Sequence, residues 1–317
     1  MIEPRPPARL ERSDAEPLDW FGSPLRFPVT CADTGELMSV QITELRPGAH
    51  NPLHCHGRED ELFIVLRGRF VAEVGGRRVE LETGDCAYIP AGVPHRVADA
   101  GPEPTTLATV LTPGALEEAF RTVAERGGRG LRETFRAAGV EFLESYDSAY
   151  RHPEADAPRD PVVVRAGERD RFHMAGDTYT IMLGGKDTAD LLNIVHFDIP
   201  PGGGPIPHRH TLDDEVFIVT EGWVTLFHDG VTATAGPGDV AILPRGSVHA
   251  FRNETTEQAE MLALTAPSGF DGLIREVGIR ATVGSAPAPI DDAEKARLAR
   301  AVPKFGIELH PAAWPHG

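Results

Sequence analysis

Lysine is scarce in this chain: Lys186, Lys295 and Lys304 are the only three among 317 residues, against 48 Asp and Glu and a net charge of −17. So acidic a surface repels phosphate backbones, and nucleic acid is not an expected partner. Arginine supplies the rest of the basic charge, a bias from which no function follows. Cysteine is also sparse. Cys31, Cys55 and Cys86 are odd in number and form no CxxC pair, which reads as reduced thiols in a cytoplasm rather than as a disulfide framework. No stretch approaches the roughly 20 apolar residues of a membrane span. Residues 1–16, rich in Pro, Arg and Glu, lack the apolar centre of a signal peptide. No membrane partner is expected.

What the chain has in excess is turn-forming residues, 33 Gly and 28 Pro. They suit many short strands joined by tight turns. Its length fits two domains of about 150 residues, and a hydrophobic content of 41% can fill two cores.

An internal repeat fixes the organisation. The first half contains Gly48, His54, His56, Glu61 and Gly68, followed by Gly84-Asp85, Pro90, Gly92 and His95. The second contains Gly202, His208, His210, Glu215 and Gly222, followed by Gly238-Asp239, Pro244, Gly246 and His249. The shifts 208 minus 54 and 249 minus 95 are both 154, and no insertion breaks the register. The chain is a tandem duplication. The limits expected are residues 1–151 and 161–317, each a barrel with a helical tail, joined by the polar, Pro-rich stretch 152–161.

Between the motifs the pattern is β. Leu37 to Leu45 alternates, and Arg69 to Leu81 alternates about a Gly75-Gly76 turn, echoed by Trp223 to Ala235 about Asp229-Gly230. Leu62 to Leu66 and Val216 to Val219 are apolar runs expected to be buried on both faces. Helical patterns fall outside the barrels: about 114–126 after Thr112-Pro113, about 130–138 ending at Gly139, and about 292–301 behind an Asp291/Glu294 capping box. The phrases Gly139-Val140-Glu141-Phe142 and Gly306-Ile307-Glu308-Leu309 are alike, so the repeated unit extends into its tail.

On a strand, alternation puts His54 and His56 on one face and turns Cys55 away; His208 and His210 do the same around Arg209. Imidazole and carboxylate ligands suit Fe, Mn, Ni, Co, Cu or Zn. Four protein ligands on an octahedral ion leave two positions open, an arrangement for catalysis rather than for structure alone.

Both halves resemble, residue by residue, the two conserved motifs of the cupin superfamily. The second, with Pro200-Pro201-Gly202-Gly203-Gly204-Pro205 before His208, is most similar to quercetin 2,3-dioxygenase-like cupins. The resemblance implies an all-β fold of two jelly-roll (double-stranded β-helix) barrels. It implies one divalent metal per barrel, held by His54, His56, Glu61 and His95 and by His208, His210, Glu215 and His249. In the recognised pattern the Glu and the last His come from neighbouring strands. Glu61 and Glu215 would each be ligand and general base towards an enolic or phenolic aromatic substrate that reacts with O2. One departure is that the family's closing Asn is Asn253 in the second copy but Asp99 in the first.

Other polar residues carry blander expectations. His50 and Asn51 read as exposed loop residues, His196 as a core or surface histidine, His173 and His228 as surface, and Cys55 and Cys86 as packed small residues. Phe63 and Val65, Phe217 and Val219, Val97 and Phe251 share the faces of the ligands and would wall an apolar pocket. The leading expectation is a metal-dependent dioxygenase. An aromatic polyketide cyclase or tailoring cupin is the alternative; an oxalate decarboxylase-like enzyme and a non-catalytic metal-binding bicupin rank lower. Arg209, turned away by alternation, offers oxalate no positive charge. A homodimer is left open.

Overall fold

The computed structural model describes residues 6–153, 155 and 159–313, so part of the expected 152–161 linker lies outside the described residues. The chain forms two compact units, Glu16–Ala166 and Met1–Ala15 with Gly167–Gly317. These limits differ from those expected because the segment ahead of each repeat pairs away from it. Arg9–Glu11 is antiparallel to Val240–Leu243 in the C-terminal unit. Val162–Val164 is antiparallel to Cys86–Ile89 in the N-terminal unit.

Repeat-related aspartates anchor both segments. Asp239 accepts from the Ser13 amide at 2.7 Å and from Arg12 at 2.9 Å. Asp85 accepts from the Ala166 amide at 2.9 Å and from Arg165 at 2.6 Å. The Gly-Asp turn recognised in the sequence thus has a second use, holding a strand that arrives from elsewhere in the chain.

Each unit is a sandwich of two antiparallel sheets, and each apolar run expected to be buried lies at a sheet centre. In the N-terminal unit Asp60–Arg67 sits between Cys86–Ile89 and Thr105–Thr112. In the C-terminal unit Asp214–Glu221 sits between Val240–Leu243 and Ala259–Ala266. The facing sheet of each unit has five strands among the described residues and carries the hairpin. The hairpins turn where expected, with Gly75 and Gly76 at φ 55 and 76, and Asp229 and Gly230 at φ 46 and 86. Positive φ at both central residues matches the right-handed twist of the flanking strands.

The look-alike phrases of the two tails are equivalent strands. Val140–Phe142 pairs with His54–His56, and Ile307–Leu309 with His208–His210. Each flanks and fixes its His-x-His strand.

Helices occupy Glu117–Glu125, Leu131–Ala137 and Asp292–Ala301. The first begins four residues after Pro113, so Pro113 is not its first residue as expected. Asp291 caps the last, accepting from the Glu294 amide at 2.7 Å. A further helix, Phe270–Val277, was not anticipated. Its buried Leu273, Ile274 and Val277 join the C-terminal core, and Phe270 faces the site. No helix among the described residues is long and apolar enough to cross a membrane.

Candidate metal centres and their cavities

The four sequence-picked residues of each copy come together, with one ligand atom from each within 4.8 Å of the others. His95 lies directly across from His54 in the five-stranded sheet, and His249 across from His208. Glu61 and Glu215 come from the opposite sheet, not from a strand beside the last histidine as the resemblance implied. The ligands therefore close on a point between the sheets, deep in each sandwich.

Backbone carbonyls set the ring orientation. Nδ1 of His54, His95, His208 and His249 faces the carbonyl two residues earlier, at 2.9, 2.8, 2.9 and 3.2 Å. A proton on Nδ1 leaves the Nε2 lone pair free for a cation. His210 is held instead by Asp213, whose Oδ2 accepts from Nδ1 at 2.6 Å. The repeat-related pair, His56 and Glu59, is only an approach at 3.8 Å. Both partners there, His56 Nδ1 and Glu59 Oε2, are buried without a hydrogen bond. The sequence reading missed Glu59 and Asp213, although an acid three residues after the second His in both copies was a visible signal.

The donor sets fit a cation. In the second set His249 Nε2 lies 2.9 Å from Glu215 Oε2, and His210 Nε2 3.7 Å from it. Even so, all three atoms are buried without an aligned hydrogen bond. Unpaired buried polar atoms cost about 1–3 kcal/mol each; three converging on one point make an ion site. In the first set Glu61 Oε2 lies 2.5 Å from His95 Nε2 and 3.4 Å from His56 Nε2.

Burial keeps most of the imidazoles neutral, the form a metal needs. Burial, aided by the neighbouring rings, pulls His54 and His208 down to about 3. Burial likewise lowers His56 to about 4 and His249 to about 3. Burial also opposes charge on His210, but Glu215 and Asp213 on either side hold its proton up to about 9. Burial raises the Glu215 carboxyl. Burial acts the same way on Glu61, where the surrounding imidazoles prevail and hold it at about 2.

The cavities differ. The first set opens on about 120 Å³, crowded by an aromatic cluster in which Phe120 stands 4.7 Å from Trp20 and 4.9 Å from Phe135. The second opens on about 390 Å³ walled by Tyr179, Phe197, Phe217, Phe251 and Phe270. Of the walls read from the sequence, Phe63, Val97, Phe217 and Phe251 line the cavities, while Val65 and Val219 sit in the cores behind.

Gly204, at φ 127, borders the second cavity, and a Cβ there would lie 2.1 Å from the Phe251 carbonyl. The first copy has His50 at this position, exposed as expected. Asn253 is fully buried and binds Ile199 and Glu257 carbonyls. Its counterpart Asp99 is exposed and caps the Gly101 amide. The two copies are not equivalent at this turn.

Asn51 departs from the exposed loop residue expected. It is half-buried at the first cavity, and its Oδ1 accepts from the Val97 amide at 2.7 Å. His228 is buried rather than on the surface, because it pairs across the ladder with His249. His196 bonds Glu260 on the outer face, and His173 contacts Thr178 and Ser285. Cys55 and Cys86 are buried, and the described residues contain no disulfide. Burial pushes the Cys55 thiol up to about 11, so it is no nucleophile. Arg209 points away from the metal set, to Glu308, as alternation required.

Asp177 has a pH-dependent role in stability. It is fully buried with Oδ1 unpartnered, and burial pushes its carboxyl from 3.8 up to about 8. The folded state thus favours the protonated form, and the stability this contributes is complete below pH 3.8 and lost as pH rises through about 8. Asp177→Asn should leave stability near pH 4 unchanged and raise it at pH 9 by about 1–3 kcal/mol. Denaturant melts at the two pH values check this; an equal effect at both would contradict it.

Known proteins share this organisation. The family described as Cupin domain matches residues 41–111 and 195–265. Quercetin 2,3-dioxygenase of Bacillus subtilis is 25% identical over 264 residues, covering 77% of this chain and 78% of that protein. The tetracenomycin polyketide synthase protein TcmJ of Streptomyces glaucescens is 25% identical over 107 residues, 33% of this chain and 72% of that protein. Among solved structures, oxalate decarboxylase of Bacillus subtilis superposes with TM-score 0.58 at 19% identity, covering 83% of this chain and 77% of that one. A formate complex of Lactobacillus farciminis oxalate decarboxylase gives 0.57 at 18%, covering 84% and 90%. At such identities the structural likeness shows the fold alone.

Proposed function

This chain belongs to the cupin family as a bicupin with one His3Glu metal site per unit, and from that premise we propose that it is a metal-dependent oxygenase. Its substrate is an enolic or phenolic aromatic compound that reacts with O2 at the second site, in a reducing cytoplasm. The observation that carries this reading is the aromatic cavity of about 390 Å³ bordered by the ligands His208 and Glu215. Binding pockets for small molecules run from about 300 to 1,000 Å³, so a bicyclic or tricyclic phenol is accommodated there and not in the first cavity.

His208, His210, Glu215 and His249 would hold a divalent metal, which when bound would supply Lewis-acid chemistry to a substrate oxygen. The chain's own residues do the rest. Glu215 Oε2, unpartnered within the set, takes the proton of the substrate hydroxyl. Asp213 holds His210 in one orientation. Phe197, Phe217 and Phe251 exclude water and stack on the ring. The similarity to the dioxygenase of Bacillus subtilis over 77% of the chain supports this reaction class.

O2 uptake tests the proposal. Protein loaded in turn with Fe, Mn, Ni, Co and Cu should consume O2 with at least one flavonol or catechol. No consumption with any phenolic under any metal would overturn it. The similarity to TcmJ favours a second reading, cyclisation or tailoring of an aromatic polyketide. Turnover of a polyketide-derived phenol without O2 uptake would select it. Oxalate fits poorly, because Lys295 is the one Lys or Arg lining the second cavity among the described residues and its walls are mostly apolar.

A further inference from the structure

The repeat register allows the two cavities to be compared wall by wall. Cross-strand partners Gln41 and Thr109 in the first copy correspond to Val195 and Ala263 in the second. Thr43 corresponds to Phe197, and Asn51 to Pro205. Hence four hydrogen-bonding side chains line the first cavity, where Phe197 and Pro205 line the second and Val195 and Ala263 lie in the apolar core beside it. Two changes run the other way, Leu111 to Thr265 and Leu25 to Tyr179, but the Thr265 hydroxyl is spent on Asn193 at 2.7 Å and the Tyr179 hydroxyl is directed at Asp177. Size separates the cavities as well. About 120 Å³ is well below the roughly 300 Å³ at which pockets for drug-sized ligands begin, too little for an aromatic bicycle. Finally, Gln41 Oε1 is buried without a hydrogen-bond partner, an acceptor in want of a donor.

Resting on the reading of both sets as metal sites, we infer that the first site binds a different class of ligand from the second: a small hydroxy acid of about glycolate's size. Its carboxylate oxygen meets the cation. Its hydroxyl donates to Gln41 Oε1, and the Thr43 and Thr109 hydroxyls complete the polar lining. The aromatic cluster of Trp20, Phe120 and Phe135 closes the space beyond. The two copies keep one metal set and divide ligands by size and polarity.

The probes are glycolate and catechol, and the readout is the visible spectrum of bound cobalt rather than turnover. Full-length His208→Ala/His210→Ala protein retains the first set, and His54→Ala/His56→Ala protein retains the second. Glycolate should perturb first-set cobalt at a concentration at least about tenfold lower than catechol does, with the order reversed at the second set. Gln41→Val and Thr109→Ala, each made separately, install the residues that the second copy has at these positions. Each should weaken glycolate about three- to tenfold, the worth of one hydrogen bond. Equal preference at the two sets, or glycolate binding unmoved by both substitutions, would overturn this inference alone. Failure of both proteins to take up cobalt would overturn the metal-site reading beneath it.

Discussion

Glu215→Gln is expected to cut O2-dependent turnover of a phenolic substrate about 10²- to 10³-fold, the usual worth of a positioned general base, while metal remains bound through three imidazoles. Glu61→Gln should change that turnover by less than about threefold. The two glutamates have the same ligand neighbours, so the contrast comes from what lies beyond them. Glu215 borders a cavity that admits an aromatic ring; Glu61 borders one that does not. Metal content measured alongside the rate separates loss of the base from loss of the ion. Unchanged rates in both single variants and in the double would remove the glutamates from the chemistry.

The second large effect concerns metal affinity. Asp213→Ala should weaken metal binding at the second set about 10- to 100-fold, the cost of losing a carboxylate that orients a ligand imidazole. Glu59→Ala should matter far less at the first set, because Glu59 stands 3.8 Å from His56 where Asp213 is 2.6 Å from His210. Titration against a competing chelator reads both. Equal losses in the two variants would mean that proximity in the fold, rather than the hydrogen bond, sets the affinity.

The ligand sets were legible in the sequence because a metal demands specific donor atoms, and a 154-residue shift without insertion left no freedom in assigning them. The hairpins were legible for a similar local reason: Gly75-Gly76 and Asp229-Gly230 are among the few pairs that tolerate positive φ twice. What lay beyond reach was set by tertiary pairing. Nothing local in Arg9–Glu11 or Val162–Val164 says which sheet edge each will join. Alternation put His54 and His56 on one face but could not say that Glu61 approaches from the opposite sheet.

Helix Phe270–Val277 was legible in principle, with apolar residues at 270, 273, 274 and 277. An internal Gly272 and a length of eight residues concealed it. That omission mattered, since Phe270 helps make the second cavity aromatic. The polar lining of the first was in the sequence throughout, at positions the repeat register already paired. Only the structure showed that those faces border the metal.

Elemental analysis of the full chain, reconstituted with a single divalent metal and freed of excess, tests the central claim most directly. Two intact sets predict two ions per chain, one in His54→Ala/His56→Ala, one in His208→Ala/His210→Ala and none when all four substitutions are combined. A wild-type chain that holds one ion or none under the same conditions would contradict it.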